Sequence, residues 1–352
     1  MTAPMLQPFD VRYLAGIGAG LAAALLCLAV RQGTLAAYLL AYLAPLPIMI
    51  ATLGFGALPG LAAALTATAT IIVFVAVRPA EAWTAHLIPA AMFGGLFAAS
   101  LSGPAWWLAR LARLVASETG SWRDLAGAPA AKIDARIYYP LSRILAYAVG
   151  FAFIATALVV AVIVFDAGGF DAVVERLAAR FAPFILDIVG THELPTSADL
   201  EQIARFYVKL IPPVATYTYL LLIVANLWLA GRIVQVSHLL LRPWPDIPRD
   251  LRLPRPFAIA FLASLALAVL DGLAGTIAAC AAAACGMGFV LQGLAVIHAL
   301  TRGLKFRAGL LAAIYAAAAL LPLVLVPLAM VGLVDAGFAF RSRKGFAAPQ
   351  RT

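Results

Sequence analysis

This 352-residue sequence predicts an all-α fold, a polytopic transmembrane helical bundle of about ten membrane helices, with nine as the alternative. Three observations carry that prediction. The chain is 64% hydrophobic and only 12% charged, with a mean hydropathy of +0.99, which leaves too little polar surface to coat a water-soluble body of this length. The apolar residues fall in runs long enough to span a bilayer, where a helix satisfies all of its own backbone polar groups. The charges are confined to short breaks that differ in sign. Asp166 to Lys209 holds seven acidic and four basic residues, whereas Arg110 to Arg143 holds six basic against three acidic and Arg232 to Arg255 five against two.

The first run, Leu14 to Val30, is longer than the apolar core of a signal peptide and lacks a small-residue cleavage site, so it is expected to remain as a helix. Thr34 to Leu53 and Leu58 to Val77 follow, joined by the uncharged turn Gly54, Phe55, Gly56. The fourth run, Ala85 to Ala109, ends near Pro104 and the interfacial pair Trp106 and Trp107. Ile144 to Phe165 and Leu210 to Ala230 flank the acidic block, and Pro256 to Leu270 and Leu273 to Leu300 flank the turn at Asp271 and Gly272.

The last run, Ala308 to Val334, is interrupted by Pro322 and Pro327. As one helix it would be about 40 Å long, more than the hydrocarbon thickness. A hairpin broken between Leu320 and Pro327 gives ten helices and returns Arg341, Arg343 and Lys344 to the side of the other basic breaks. A single kinked span gives nine.

Basic breaks mark the cytoplasmic side, which puts Arg110 to Arg143, Arg232 to Arg255 and both termini inside and the acidic block outside. The whole chain, 1–352, then reads as one integral membrane domain carrying an outer amphipathic insertion, 166–209, and a cytoplasmic proline-rich interfacial connector, 231–256. In the insertion Val174, Leu177, Phe181, Phe184, Ile185 and Ile188 recur at helical spacing opposite Glu175, Arg176, Arg180 and Asp187. Thr196 and Asp199 form a capping-box start for a second helix that runs from Ser197 toward Pro212 and leads into the sixth span. In the connector, five prolines between Arg242 and Pro256 are expected to forbid a helix, and Trp244 with its arginines suits the headgroup layer.

The function classes that leave a local signature are missing theirs. The sequence has no HExxH, GxSxG, P-loop or dinucleotide fingerprint, and His86, His192, His238 and His298 lie in separate segments without ligand spacing. Cys27, Cys280 and Cys285 read as small buried hydrophobes, and Cys280 and Cys285 point roughly 140° apart on a helix. No enzyme activity, cofactor, metal or nucleic-acid partner is therefore expected. The expected partners are the lipid bilayer, a small-molecule ligand and a membrane protein partner.

Polar groups at membrane depth are costly and so become the candidate ligand contacts: Asn226, Gln292, His298 and Asp271. Each has a structural alternative. Asp271 before Gly272 is turn chemistry, and the other three suit interhelical hydrogen bonds. Thr66, Thr68 and Thr70 are expected to bond their own helix's carbonyls. Gly16 with Gly20 and Gly56 with Gly60 form GxxxG pairs, which permit close helix approach.

The stretches NLWLAGRIVQVSHLLLRPWPDIPRDLRLPR (Asn226 to Arg255), LQGLAVIHALTRG (Leu291 to Gly303) and LAPLPIMIATLGFG (Leu43 to Gly56) resemble an uncharacterised family of bacterial inner-membrane proteins of the YybS type. The resemblance implies location and class and brings no catalytic or binding residues. The first helix, with Ala15, Ala19 and Ala23 four apart, is also similar to the docking helix of substrate-binding subunits of energy-coupling-factor transporters, which have only six spans. The expectation that follows is a non-enzymatic protein that binds or transports a small molecule in its bundle, or alternatively a structural or assembly protein of the cell envelope.

Overall fold

Proline and glycine decide where the apolar runs break. In the computed structural model, which describes residues 11–77, 83–116, 121–124, 137–189, 197–338 and 341, α1 spans Val11–Leu28 and continues as a 3-10 turn to Gln32. The second run is split into α2, Leu35–Tyr42, and α3, Pro45–Phe55, because Pro45 suits the first turn of a new helix but not the interior of a continuing one. Thr34 opens α2, its Oγ1 accepting the Ala37 N–H at 3.2 Å. Gly56, at φ 128°, makes the turn into α4, Ala57–Ala76.

The fourth run comprises α5, Trp83–Phe97, a π-helical turn Ala98–Ser102, and α6, Gly103–Ala112. Pro104 lacks an N–H and cannot extend the preceding ladder, which accounts for the widened turn before it. The long helices α7, Leu141–Ala167, and α9, Ser197–Val236, bracket α8, Phe170–Val189. After the single-turn α10, Ile247–Asp250, come α11, Pro256–Leu267, α12, Gly272–Leu300, α13, Arg307–Leu320, and α14, Leu325–Phe338.

The all-α polytopic class therefore holds, with a smaller number of complete spans. Among the described residues seven helical stretches are long and apolar enough to cross a membrane: Val11–Gln32, Leu35–Phe55, Ala57–Ala76, Ile88–Ala112, Leu141–Ala167, Leu200–Val236 and Gly272–Leu300. The final run is broken as its prolines suggest, bending by 119° at Leu321. Each arm, α13 and α14, has 14 residues, about 21 Å of helix, so the pair forms a broken span or a re-entrant hairpin. The run expected to span from Pro256 to Leu270 is helical only to Leu267, 12 residues.

One further expectation is revised, that for the connector. The helix beginning at Ser197 leads into the sixth span as expected, passing through Pro212 and Pro213 as one 40-residue rod, with Thr216 Oγ1 bonded to the Pro212 carbonyl at 2.8 Å. The connector does contain a helical turn, α10, because Pro248 falls in its first turn, where no N–H is required. Thr196, His192 and the N- and C-terminal segments with Arg343 and Lys344 lie outside the described residues, as do the side chains of His86, Phe184, Ile185, Asp187, Ile188 and Asp199.

The chain divides into two compact units, Met1–Phe151 with Leu221–Arg252, and Ala152–Leu220 with Leu253–Thr352. In the first, α1 lies on α4 so closely that a Cβ at Gly16 would fall on the Pro59 carbonyl oxygen and one at Gly20 on that of Ala63. The GxxxG spacing is thus used for contact. Thr68 bonds its own helix at the Ala64 carbonyl and also meets Ser102 Oγ at 3.0 Å, on the π turn.

Between α6 and α7 the expected loop carries a small antiparallel pair, β1 (Leu114–Ala116) and β2 (Trp122–Asp124), with Val115 also bridged to Tyr138. Arg113, only 5% exposed, holds this pair to the helices. It grips Asp124 with two donors at 2.9 and 3.1 Å and donates to the Leu53 carbonyl at 2.7 Å, near the end of α3. Replacing it with alanine removes a two-pronged charged contact to a partly exposed carboxylate and strands a buried carbonyl. Arg113→Ala should cost about 2–3 kcal/mol, read as a lower thermal unfolding midpoint in detergent.

In the second unit, α8 and the first turns of α9 form a hairpin with its own apolar seam of Val174, Ala178, Leu200, Ala204 and Val208. The amphipathic pattern around Val174 is what builds it. Helices α12 and α14 pack backbone to backbone, where a Cβ on Gly293 would strike the Leu328 carbonyl and one on Gly332 that of Phe289.

Candidate functional site

Asn226 belongs to the first unit, whereas Asp271, Gln292 and His298 belong to the second. Asn226 is 3% exposed in α9, and its Nδ2 donates to the carbonyls of Tyr42, at 2.9 Å, and Leu222, at 2.8 Å. Its Oδ1 is buried and accepts no hydrogen bond among the described residues. Asp271 is exposed at the N-cap of α12, where Gly272 takes φ 77°, in keeping with turn chemistry.

Gln292 is fully buried, with both ends of its amide engaged. Oε1 accepts the Leu253 backbone N–H at 2.8 Å, and Nε2 donates to Asp335 Oδ2 at 2.8 Å. The same carboxylate oxygen accepts from Arg341 through Nε, at 3.1 Å, and Nη2, at 2.6 Å. Asp335 and Arg341 are themselves buried, so the charges are neutralised inside the unit. The sequence reading took Arg341 only as a topological charge and did not single out Asp335. Their six-residue separation across the end of α14 was the available signal.

His298 meets Tyr315 Oη through Nε2 at 2.9 Å, and Arg307 Nη2 approaches Nδ1 at 3.5 Å. Arginine only donates, so Nδ1 is the acceptor and Nε2 carries the hydrogen.

A different place holds a cavity. The connector and the segment leading into α7 line an open cleft of about 550 Å³, formed by Tyr138, Tyr139, Arg242, Trp244, Arg249, Asp250 and Arg252, with Pro140, Leu141, Pro243 and Pro245 between them. Each wall has a structural reason. Tyr138 and Tyr139 are fixed by the β1 pairing, with Tyr139 N–H donating to the Leu114 carbonyl at 3.0 Å. Arg242 lies over the Tyr138 ring at 4.9 Å and donates to the Ala112 carbonyl, at the end of α6, at 3.2 Å. Trp244 lies against Gly231, where a Cβ would be 3.2 Å from its ring, and the Arg232 guanidinium is 5.0 Å from the ring centre.

The electrostatics of this cavity are uneven. Burial lowers the Arg242 pKa, offset in part by Tyr138 and Asp250, and burial followed by the charge of Asp246 raises that of Asp250 against the pull of Arg249, Arg242 and Arg252. Two polar atoms in the lining residues, Tyr138 Oη and Arg242 Nε, are buried without a hydrogen-bond partner among the described residues. None of Asn226, Asp271, Gln292 and His298 contributes to it. From the sequence, Arg242, Trp244 and the connector prolines read as an interfacial linker, and Tyr138, about a hundred positions away, is not singled out.

Fold and site together define a polytopic α-helical membrane protein with a basic, aromatic cavity in its connector. Residues 140–336, more than half of the chain, match the family described as "Predicted membrane protein (DUF2232)", and the chain belongs to that family. The matched segment contains the connector and the Gln292–Asp335 contact, while Tyr138, Tyr139 and Arg341 fall just outside it. No curated protein and no solved structure matches.

Proposed function

We propose that this is a non-enzymatic, multi-pass protein of a bacterial inner membrane, of the YybS type and with both termini in the cytoplasm, that binds or moves a small molecule. The observation that carries the reading is the connector cavity. Its volume falls within the range of small-molecule pockets, roughly 300–1,000 Å³, and the two buried donors in its lining are the kind of group a ligand satisfies. The broken pair α13 and α14 supports a transport role, since discontinuous helices commonly form the substrate and ion sites of transporters. Among the residues singled out from the sequence, Asn226 offers a buried oxygen to a donor, and His298 presents a ring close to Tyr315 and Arg307.

Full-length protein in detergent, heated against a panel of anionic, neutral and cationic metabolites, should show a rise in unfolding midpoint that grows with ligand concentration for at least one compound. No shift from any charge class would contradict the reading. A second reading, assembly with an envelope partner, is favoured by the apolar residues Phe206 and Tyr207 left exposed on the hairpin of α8 and α9. Crosslinking from position 206 in intact membranes should then trap one defined protein, and lipid adducts alone would exclude it.

A further inference from the structure

We infer that the connector cavity is a phosphomonoester site, an assignment that rests on the small-molecule reading above and names its ligand class. Three guanidinium groups, Arg242, Arg249 and Arg252, line it against one lining carboxylate, Asp250, with Asp246 beside that carboxylate, so the local balance stays positive. A phosphate monoester near neutral pH carries close to two negative charges and three acceptor oxygens. Guanidinium is the side chain whose planar donor fork matches such an oxyanion.

The two buried donors are the second, independent sign. Arg242 is anchored elsewhere: one terminal nitrogen donates to the Ala112 carbonyl, and its face is covered by the Tyr138 ring. That anchoring leaves Nε, together with Tyr138 Oη, buried without a described partner. A buried donor left unpaired is costly, and a small turn of either side chain that brings its donor to an oxyanion in the cavity removes that cost. A neutral, apolar ligand would fill the volume and leave both donors unpaired.

The remaining walls describe the rest of the ligand. Trp244, Tyr139, Pro243 and Pro245 provide apolar faces, and the volume exceeds what a phosphate alone occupies. Asp250 would repel a second phosphate but accepts a hydrogen bond from a hydroxyl, which suits a hydroxyl-bearing esterified group. The walls adjoin the start of α7 and the end of α9, two helices long and apolar enough to cross a membrane, so a lipid headgroup and a soluble metabolite are the two sources of such a phosphate to be told apart.

Calorimetric titration of the full-length protein tests the assignment with two probes: glycerol 3-phosphate added in solution, and nanodiscs of phosphatidic acid compared with nanodiscs of phosphatidylcholine. The expected result is saturable binding of at least one phosphomonoester, weakened about tenfold or more by Tyr138→Phe and by Arg252→Gln, changes that remove single donors. Tyr138→Phe deletes only a hydroxyl and keeps the ring under Arg242, so it separates lost recognition from lost folding. Preference for phosphatidic acid identifies a lipid source, and preference for glycerol 3-phosphate a soluble one. Binding of neither probe, or binding unmoved by both substitutions, overturns the assignment. If a neutral or cationic compound stabilises the protein while both phosphate probes fail, small-molecule binding stands and the phosphate assignment falls.

Discussion

Asp335→Ala should be the most damaging single substitution in the second unit, costing about 3–5 kcal/mol and yielding little monodisperse protein. The carboxylate oxygen it removes is shared by the Gln292 amide and two nitrogens of Arg341, all buried. What remains is a guanidinium without its counter-charge in a water-poor interior, which is where the cost arises. Asp335→Leu combined with Arg341→Met removes both charges and should recover much of the loss, because replacing a buried ion pair with apolar side chains of similar volume is often nearly neutral. Fluorescence-detected size exclusion after stepped heating separates the cases. A single variant as stable as wild type would show that the pair contributes nothing.

Gly332→Val is expected to be the second large effect. Its Cβ would fall on the Phe289 carbonyl, and Gly293 faces the Leu328 carbonyl in the reciprocal position, so the two backbones meet with no side chain between them. A carbonyl on a helix has no rotamer with which to retreat, so α14 must shift away from α12 along the contact. The cost should reach about 3 kcal/mol, the upper end for overpacking. Gly309→Val, where an added Cβ meets nothing within 4 Å, is the control and should unfold at the wild-type temperature. Equal behaviour of the two variants would contradict the close approach.

The membrane-spanning runs were legible because span length is a one-dimensional property of the chain. Leu141–Ala167 and Gly272–Leu300 follow directly from uninterrupted apolar sequence. Local covalent chemistry was legible too: Pro322 stands beside the 119° bend, and Gly272 supplies the positive φ after Asp271. Lengths near a break were less so, as Pro256–Leu267 and the two short arms of the final run show. Hydropathy counts apolar residues without telling helix from turn.

The polar sites were hidden for a different reason. Arg113 and Arg341 read as topology signals because a cationic residue beside a span ordinarily faces water, and their burial depends on Asp124 and Asp335 being brought to them by the fold. Gln292 and Asn226 were found from the cost of placing an amide at membrane depth, but that cost does not name the partner. Gln292 is held by Leu253 and Asp335, contacts 39 and 43 residues away. The cavity is still less local, since Tyr138 and Arg242 share no period or motif.

If the connector cavity holds a small molecule, native mass spectrometry of the full-length protein extracted gently from its own membrane should show one adduct of defined mass on the wild-type chain, lost or strongly reduced in Arg252→Gln and Tyr138→Phe. A bare polypeptide mass, or an adduct retained equally by both variants, would contradict it.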